Sequence, residues 1–248
     1  MVAEYQIYLT IQPIQYLCPF GSTTKTEITQ VEYCIIGSYN AVPVCYQGPI
    51  QEALRVLRAG GIIVYPTDTV WGIGCDATNA EAVKRIYALK QREDSKSMIV
   101  LLDSPAKLNY YVADIPDAAW ALLEAVNNDE MSARQDELND EMMKPLTIIY
   151  PGARNMAPNV IAEDGSIGIR ITNEPFSKAL CEQLRHPLVS TSANISGHPT
   201  AHWFAEIEQA ILDGADYVCR FRREDDTAYE PSSIIKLNAD GTFRIIRE

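Results

Sequence analysis

No apolar run in this sequence approaches the roughly 20 residues that a membrane-spanning helix needs. The N-terminus also lacks the basic start and continuous apolar core of a secretory leader, so the sequence predicts a cytoplasmic protein. The six cysteines, at positions 18, 34, 45, 75, 181 and 219, form no CxxC pair, which argues against a zinc ribbon or a disulfide framework. Basic residues are scarce: 21 Lys and Arg face 33 Asp and Glu, a formal net charge of -12. Long-range attraction to nucleic acid is therefore disfavoured, and any anionic substrate must be held by a local cluster of cations. Neither GxxxxGK[ST] nor GxGxxG occurs, so ATP cannot be held by a P-loop or a Rossmann turn. Of the three histidines, His198 and His202 have the four-residue spacing of ligands on a helix, but no Glu or Cys completes the set and Pro199 lies between them. No Ser-His-Asp or Cys-His arrangement offers a nucleophile.

What is present is a chain of 248 residues, 47% hydrophobic, long enough for one large core. Residues 1–47 differ in composition from the rest, with scattered Tyr, Thr and Gln and no lasting period; 5–11 and 31–36 could be short strands. The regular part runs from 48 to 248 with no internal repeat and no linker. Its centre is residues 60–75. Ile62, Ile63 and Val64 read as a buried strand, which Pro66 stops because it has no ladder donor. Two threonines and Asp68 follow, and then Gly72 and Gly74, which suit a turn or a close backbone approach to a ligand. Polar loops at the ends of buried strands are where open α/β sheets place their ligands.

Around this centre, Pro49 opens an amphipathic helix carrying Ile50, Ala53, Leu54 and Leu57, and Gly60 and Gly61 end it. Thr78 or Asn79 caps a second helix that finishes in Lys90-Gln91-Arg92. Strands are predicted at 98–102, 146–150, 167–171, 188–190, 233–237 and 243–246, and helices near 106–112, 116–126, 175–184 and 202–212. Residues 127–141 carry six acids and one Arg, a solvated loop or exposed helix. Strands and helices in alternation make an α/β fold with a twisted sheet, and the adjacent C-terminal strands make part of it antiparallel.

Each candidate cluster has a plain structural reading beside a functional one. Lys90 and Arg92 complement the macrodipole at a helix C-terminus, and two residues apart they also suit a polyphosphate. Ser190, Ser192 and Asn194, after the strand at 188, can cap the next helix or donate to phosphate oxygens. Arg170 alternates with apolar residues; it either faces solvent or clamps a carboxylate. Arg220, Arg222 and Arg223 cluster outside the proposed pocket.

Taken in order, these pieces resemble the YrdC-like threonylcarbamoyl-adenylate synthases. The motifs are Tyr65-Pro66-Thr67-Asp68-Thr69 through Gly74, Lys90 with Arg92, Pro145-Leu146-Thr147, Ile169-Arg170, Ser192 with Asn194, and Ser232-Ser233. The resemblance covers residues 48–247 and implies a YrdC-like fold, an open twisted mixed sheet with helices packed on it, in its short single-domain form. It implies a nucleotidyltransferase that joins L-threonine, bicarbonate or carbon dioxide, and ATP into threonylcarbamoyl-adenylate, releasing pyrophosphate. Mg2+ accompanies the ATP, and no tightly bound protein metal site is implied. A transferase complex then moves the threonylcarbamoyl group to tRNA adenosine beside the anticodon, so direct tRNA binding by this chain is expected to be weak or absent.

By the same resemblance, Lys90, Arg92, Ser192 and Asn194 act in catalysis and hold the nucleotide, joined by Arg247. Thr67, Arg170, Ser190 and Ser232 take the threonine. Two departures stand out: Met142-Met143-Lys144 replaces an aromatic-Pro-Gly turn, and Leu101 stands where some members have a His. The alternatives are a paralogue acting on another carbamoyl or adenylate substrate, and a non-catalytic RNA-binding module that shares the sheet.

Overall fold

The computed structural model describes residues 33–35, 41–43, 46–92, 98–133, 144–225, 227, 229, 231–238 and 240–248. The strand expected at 5–11 and the Met142-Met143 pair lie outside these residues. A hairpin of β1 (Tyr33–Ile35) and β2 (Ala41–Pro43) precedes helix α1 (Gln47–Arg58). Then come β3 (Ile63–Tyr65), β4 (Gly72–Gly74), α2 (Ala80–Leu89), β5 (Ile99–Leu102), α3 (Leu108–Tyr111) and α4 (Asp117–Ala133). The second half has β6 (Leu146–Tyr150), β7 (Ile167–Ile171), α5 (Pro175–Leu184), β8 (Leu188–Ser192), α6 (Gln209–Gly214), β9 (Tyr217–Val218), β10 (Ser233–Leu237) and β11 (Phe243–Arg247).

Nine strands form one sheet in the order β11-β10-β6-β7-β5-β8-β4-β3-β9. Three neighbouring pairs are parallel, β10 with β6, β5 with β7, and β3 with β9, while the others are antiparallel, so the sheet is mixed as expected. α1 and α5 pack on each other, joined at the surface by Arg58, which donates to the Gln183 carbonyl at 2.8 Å. The core runs continuously under the sheet, from Ile50 and Leu54 through Ile63, Ile73 and Val100 to Ile169, Phe176 and Leu188.

Three expectations need correction. Gly72 and Gly74 make no turn; they form β4, paired with β3 on one side and β8 on the other, and neither has a positive φ. Their use is close approach. A Cβ on Gly74 would overlap the Val189 carbonyl oxygen and sit 2.9 Å from the Tyr65 ring. Next, β8 does not stop at Ser190, because Thr191 and Ser192 pair with Ile73 and Gly72 and stay extended. Last, 202–212 is not one helix. A 3-10 turn (Phe204–Glu206) and α6 are separated at Ile207 and Glu208, whose backbones are extended. Glu206 caps the 3-10 turn by accepting from His202 N at 2.8 Å, whereas Glu208 is drawn to another segment, accepting from Ile195 N at 3.2 Å.

The close packing at Gly74 gives a direct test. Gly74→Ala should destabilise the protein by about 2 kcal/mol or more through overpacking against a backbone carbonyl that cannot rotate away. Urea unfolding reads this as a lower midpoint at unchanged slope, and a midpoint equal to wild type would mean that β4 and β8 are not so closely apposed.

Candidate active site

The site is built where three chain segments meet: the turn after β3, the end of α2, and the exit of β8. Asn79 caps α2 by accepting from Ala82 N at 3.1 Å. At the other end the helix stops in a Schellman arrangement. Arg92 N reaches the Tyr87 carbonyl at 3.0 Å and Gln91 N reaches Ala88 at 3.1 Å, with Gln91 at φ 49° where Gly is usual. This reversal sends Lys90 inward and leaves Arg92 half-buried at the rim.

Lys90 is 1% exposed. Its ammonium donates to the carbonyl of Ser192, to the carbonyl of Asn194 at 2.7 Å, and more distantly to Asn194 Oδ1 at 3.5 Å. The backbone adds a fourth tie, Ser196 N to the Lys90 carbonyl at 2.8 Å. Asn194 completes the knot by accepting from Ser192 Oγ at 2.5 Å and donating Nδ2 to the carbonyls of Ile195 and His198. Lys90, Arg92, Ser192 and Asn194 are thus brought together although Lys90 and Asn194 lie 104 residues apart. The ammonium is met by neutral oxygens. Burial and then Arg92 pull its pKa from 10.5 down to about 8, and Glu208 opposes them more weakly.

The second half of the site hangs on Arg170, which is 3% exposed on β7. It does not face solvent. Its Nη2 lies 2.9 Å from Asp68 Oδ1, a close ion pair in which that oxygen makes no aligned hydrogen bond. Nη1 points to Thr69 Oγ1 at 3.5 Å, and Nε, though buried, has no hydrogen-bond partner. Thr67 and Thr69 share a hydrogen bond at 3.0 Å, and Thr67 Oγ1 closes its own turn on the Val70 carbonyl at 2.8 Å. Arg170 sits beside Thr147 in register. Thr147 Oγ1 is 2.9 Å from Ser232 Oγ, which also accepts from Arg247 Nη2 at 3.2 Å. Arg247, though on an exposed strand, turns back over the sheet and its Nε donates to the Ser232 carbonyl at 2.8 Å. Burial and the neighbouring Arg170 charge lower the pKa of Arg247.

The predicted residues therefore fall into two connected groups, Lys90, Arg92, Ser192 and Asn194 in one and Thr67, Arg170, Ser232 and Arg247 in the other. Ser190 lies between them, buried against Tyr65, whose hydroxyl it meets. Sequence reasoning gave no role to Asp68, Thr69 or Thr147, although each stands inside a quoted motif. It placed Arg222 outside the pocket, whereas Arg222 lines the hollow beside Thr67, Thr69 and Trp71. His198 pairs with Glu208 at 3.0 Å and His202 lines that same hollow, so the two are not ligands on one helix face. Among the described residues no group of three His, Cys, Asp or Glu side chains could hold a metal ion.

The family model for Sua5, YciO and YrdC, described as "Telomere recombination", matches residues 55–248. A curated relative, the threonylcarbamoyl-AMP synthase of Stutzerimonas stutzeri (strain A1501), is 35% identical over 169 residues, covering 68% of this chain and 83% of its own length. Of solved structures, E. coli YciO aligns with a TM-score of 0.66 at 25% identity, over 84% of this chain and 91% of YciO. A double-alanine variant of P. abyssi Sua5 aligns with a TM-score of 0.62 at 25% identity, over 80% of this chain and 55% of Sua5. The chain spans about half the length of that Sua5.

The Lys90 knot predicts a pH effect of definite sign. The folded protein gives up this proton near pH 8 and the unfolded chain near pH 10.4, so stability rises with pH between the two, by up to about 3 kcal/mol. Chemical denaturation of wild type and Lys90→Met across that range isolates the term. The difference should move in favour of wild type as pH rises, and a difference constant from pH 7 to 11 would show that the ammonium is not desolvated.

Proposed function

This chain belongs to the Sua5, YciO and YrdC family, and on that premise we infer that it is an enzyme making threonylcarbamoyl-AMP from L-threonine, bicarbonate or carbon dioxide, and ATP. One observation carries the reading most directly: a buried ammonium is bonded to carbonyl and amide oxygens and to no carboxylate, beside a half-buried arginine, at the mouth of a polar strand exit. In a chain of net charge -12 this is a local positive site, which a polyphosphate would complete.

The chemistry asks for little covalent help. A carbamate oxygen displaces pyrophosphate at the α-phosphorus, a step governed by charge neutralisation and in-line placement. Arg92 is the cation that reaches the phosphates. Lys90 works from beneath, holding the 192–196 loop and adding its charge, while the Ser192 hydroxyl and nearby amides face the α-phosphate. Threonine is held at the other end, its carboxylate by Arg170, with Thr67, Ser190, Ser232 and Arg247 lining that part of the site. Leu101, beside Arg170 in register, supplies packing where some relatives have a polar side chain.

Magnesium enters with the nucleotide, its ligands being phosphate oxygens and water. The protein groups nearest Lys90 do not fit a resident ion, since the carbonyls serve the ammonium and Glu208 serves Ile195 N and His198. No helix among the described residues is long and apolar enough to cross a membrane, and we place the chain in the cytoplasm. The adenylate then passes to a transferase that modifies tRNA adenosine, with little direct contact between this acidic chain and the tRNA.

Pyrophosphate release should require ATP, threonine and bicarbonate together. Release with any one of them omitted, or none with all three, would contradict the reading. Arg92→Ala should lower that release by about 100-fold or more while leaving the urea midpoint near wild type. Unchanged turnover would remove Arg92 from the phosphate site.

A further inference from the structure

β9 runs parallel to β3, so both strands end at the same edge of the sheet, and the residues after β9 lie beside the turn after β3. Arg222 is where they touch. Its backbone is left-handed at φ 59°, a conformation that side chains other than Gly rarely adopt, so its placement depends on the contacts it makes. Nη1 donates to the Thr67 carbonyl at 3.2 Å and lies 3.8 Å from Glu174 Oε1. Nε and Nη2 both meet Asp225 Oδ2 at 2.8 Å. The guanidinium stacks over Tyr229 at 4.7 Å, and the Tyr229 hydroxyl closes the ring of contacts on Asp225 Oδ2 at 3.2 Å.

The other end of this clasp is equally fixed. The Glu174 side chain, 8% exposed, caps α5, accepting from Ser177 N at 2.7 Å and Ser177 Oγ at 2.5 Å. Arg222 thus ties the N-terminus of α5 to the turn at 67–70. The Thr67 side chain is closed on its own turn, so it does not anchor that turn to the rest of the protein. Asp68 and Thr69 in the same turn are the groups that meet Arg170.

We propose that Arg222 is a positioning residue for the amino-acid half of the site: by holding the Thr67 carbonyl it sets where Asp68 and Thr69 fix the Arg170 guanidinium. The inference rests on the functional reading above for what Arg170 binds, but not for the clasp itself. The role is separate from the nucleotide half, because among the described residues Arg222 meets Thr67, Glu174, Asp225 and Tyr229 and not the Lys90 knot.

The test uses full-length wild type, Arg222→Met and Asp225→Asn, the second leaving the arginine in place but loosening its hold. Amide hydrogen exchange at Asp68, Thr69 and Val70 should quicken about tenfold in Arg222→Met, with α2 unchanged. KM for threonine should rise about tenfold and that for ATP stay within about twofold, with a smaller rise of the same kind in Asp225→Asn. Unchanged exchange in the turn, an unchanged threonine KM, or equal rises in both KM values would overturn the proposal. If Arg222→Met does not fold, Asp225→Asn decides by the same two readouts. If wild type forms no adenylate, it is the functional reading that fails, and the exchange rates alone decide whether Arg222 holds the turn.

Discussion

A charged amine taken out of water must be surrounded by oxygens, and in this protein that demand organises the proposed nucleotide half of the site. Lys90 cannot satisfy its three donors from its own helix. It draws the carbonyls of Ser192 and Asn194 around itself and so dictates the path of the chain after β8. A carboxylate in their place would have neutralised the charge, whereas carbonyls leave it available. The same arrangement that fixes the loop therefore leaves a positive site for an anion, at the cost of a pKa lowered to about 8.

The sheet order supplies the other half. β7 lies between β6 and β5, β6 adjoins β10, and β10 adjoins β11, so Arg170, Thr147 and Arg247 come from β7, β6 and β11, and Ser232 from the residue just before β10. Two arginines brought this close repel each other, and one of them keeps a buried Nε without a partner. Asp68 offsets part of that charge from the turn after β3. The remaining positive character and the open donor make chemical sense for a small carboxylate.

Much of this was legible in the sequence wherever one physical rule acted alone. β6, β7, α5 and β10 fall at their predicted bounds because apolar β-branched runs, or Pro at a helix start, decide them locally. β4 was not legible, since Gly72-Ile73-Gly74 has poor strand propensity and is held extended by its pairing with β3 and β8, where Tyr65 and Val189 leave no room for a side chain at Gly74. The polar end of β8 was missed for the same cause, its partner being that glycine strand. The helix expected at 202–212 breaks at Ile207 and Glu208, where Glu208 meets Ile195 N and His198, contacts that no periodicity shows. Within the site, the convergence of Lys90 with Asn194 followed from the order of motifs. Arg222 did not, because its partner Thr67 is 155 residues away and no motif contains it.

One cavity joining the end of α2, the exit of β8 and the turn after β3 should take phosphate at one end and amino acid at the other. A crystal structure with a non-hydrolysable ATP analogue and L-threonine decides this. Phosphate oxygens are expected within hydrogen-bond reach of the Arg92 guanidinium and the Ser192 hydroxyl, and the threonine carboxylate on Arg170. Nucleotide bound elsewhere on the molecule, or threonine whose carboxylate does not meet Arg170, would contradict it.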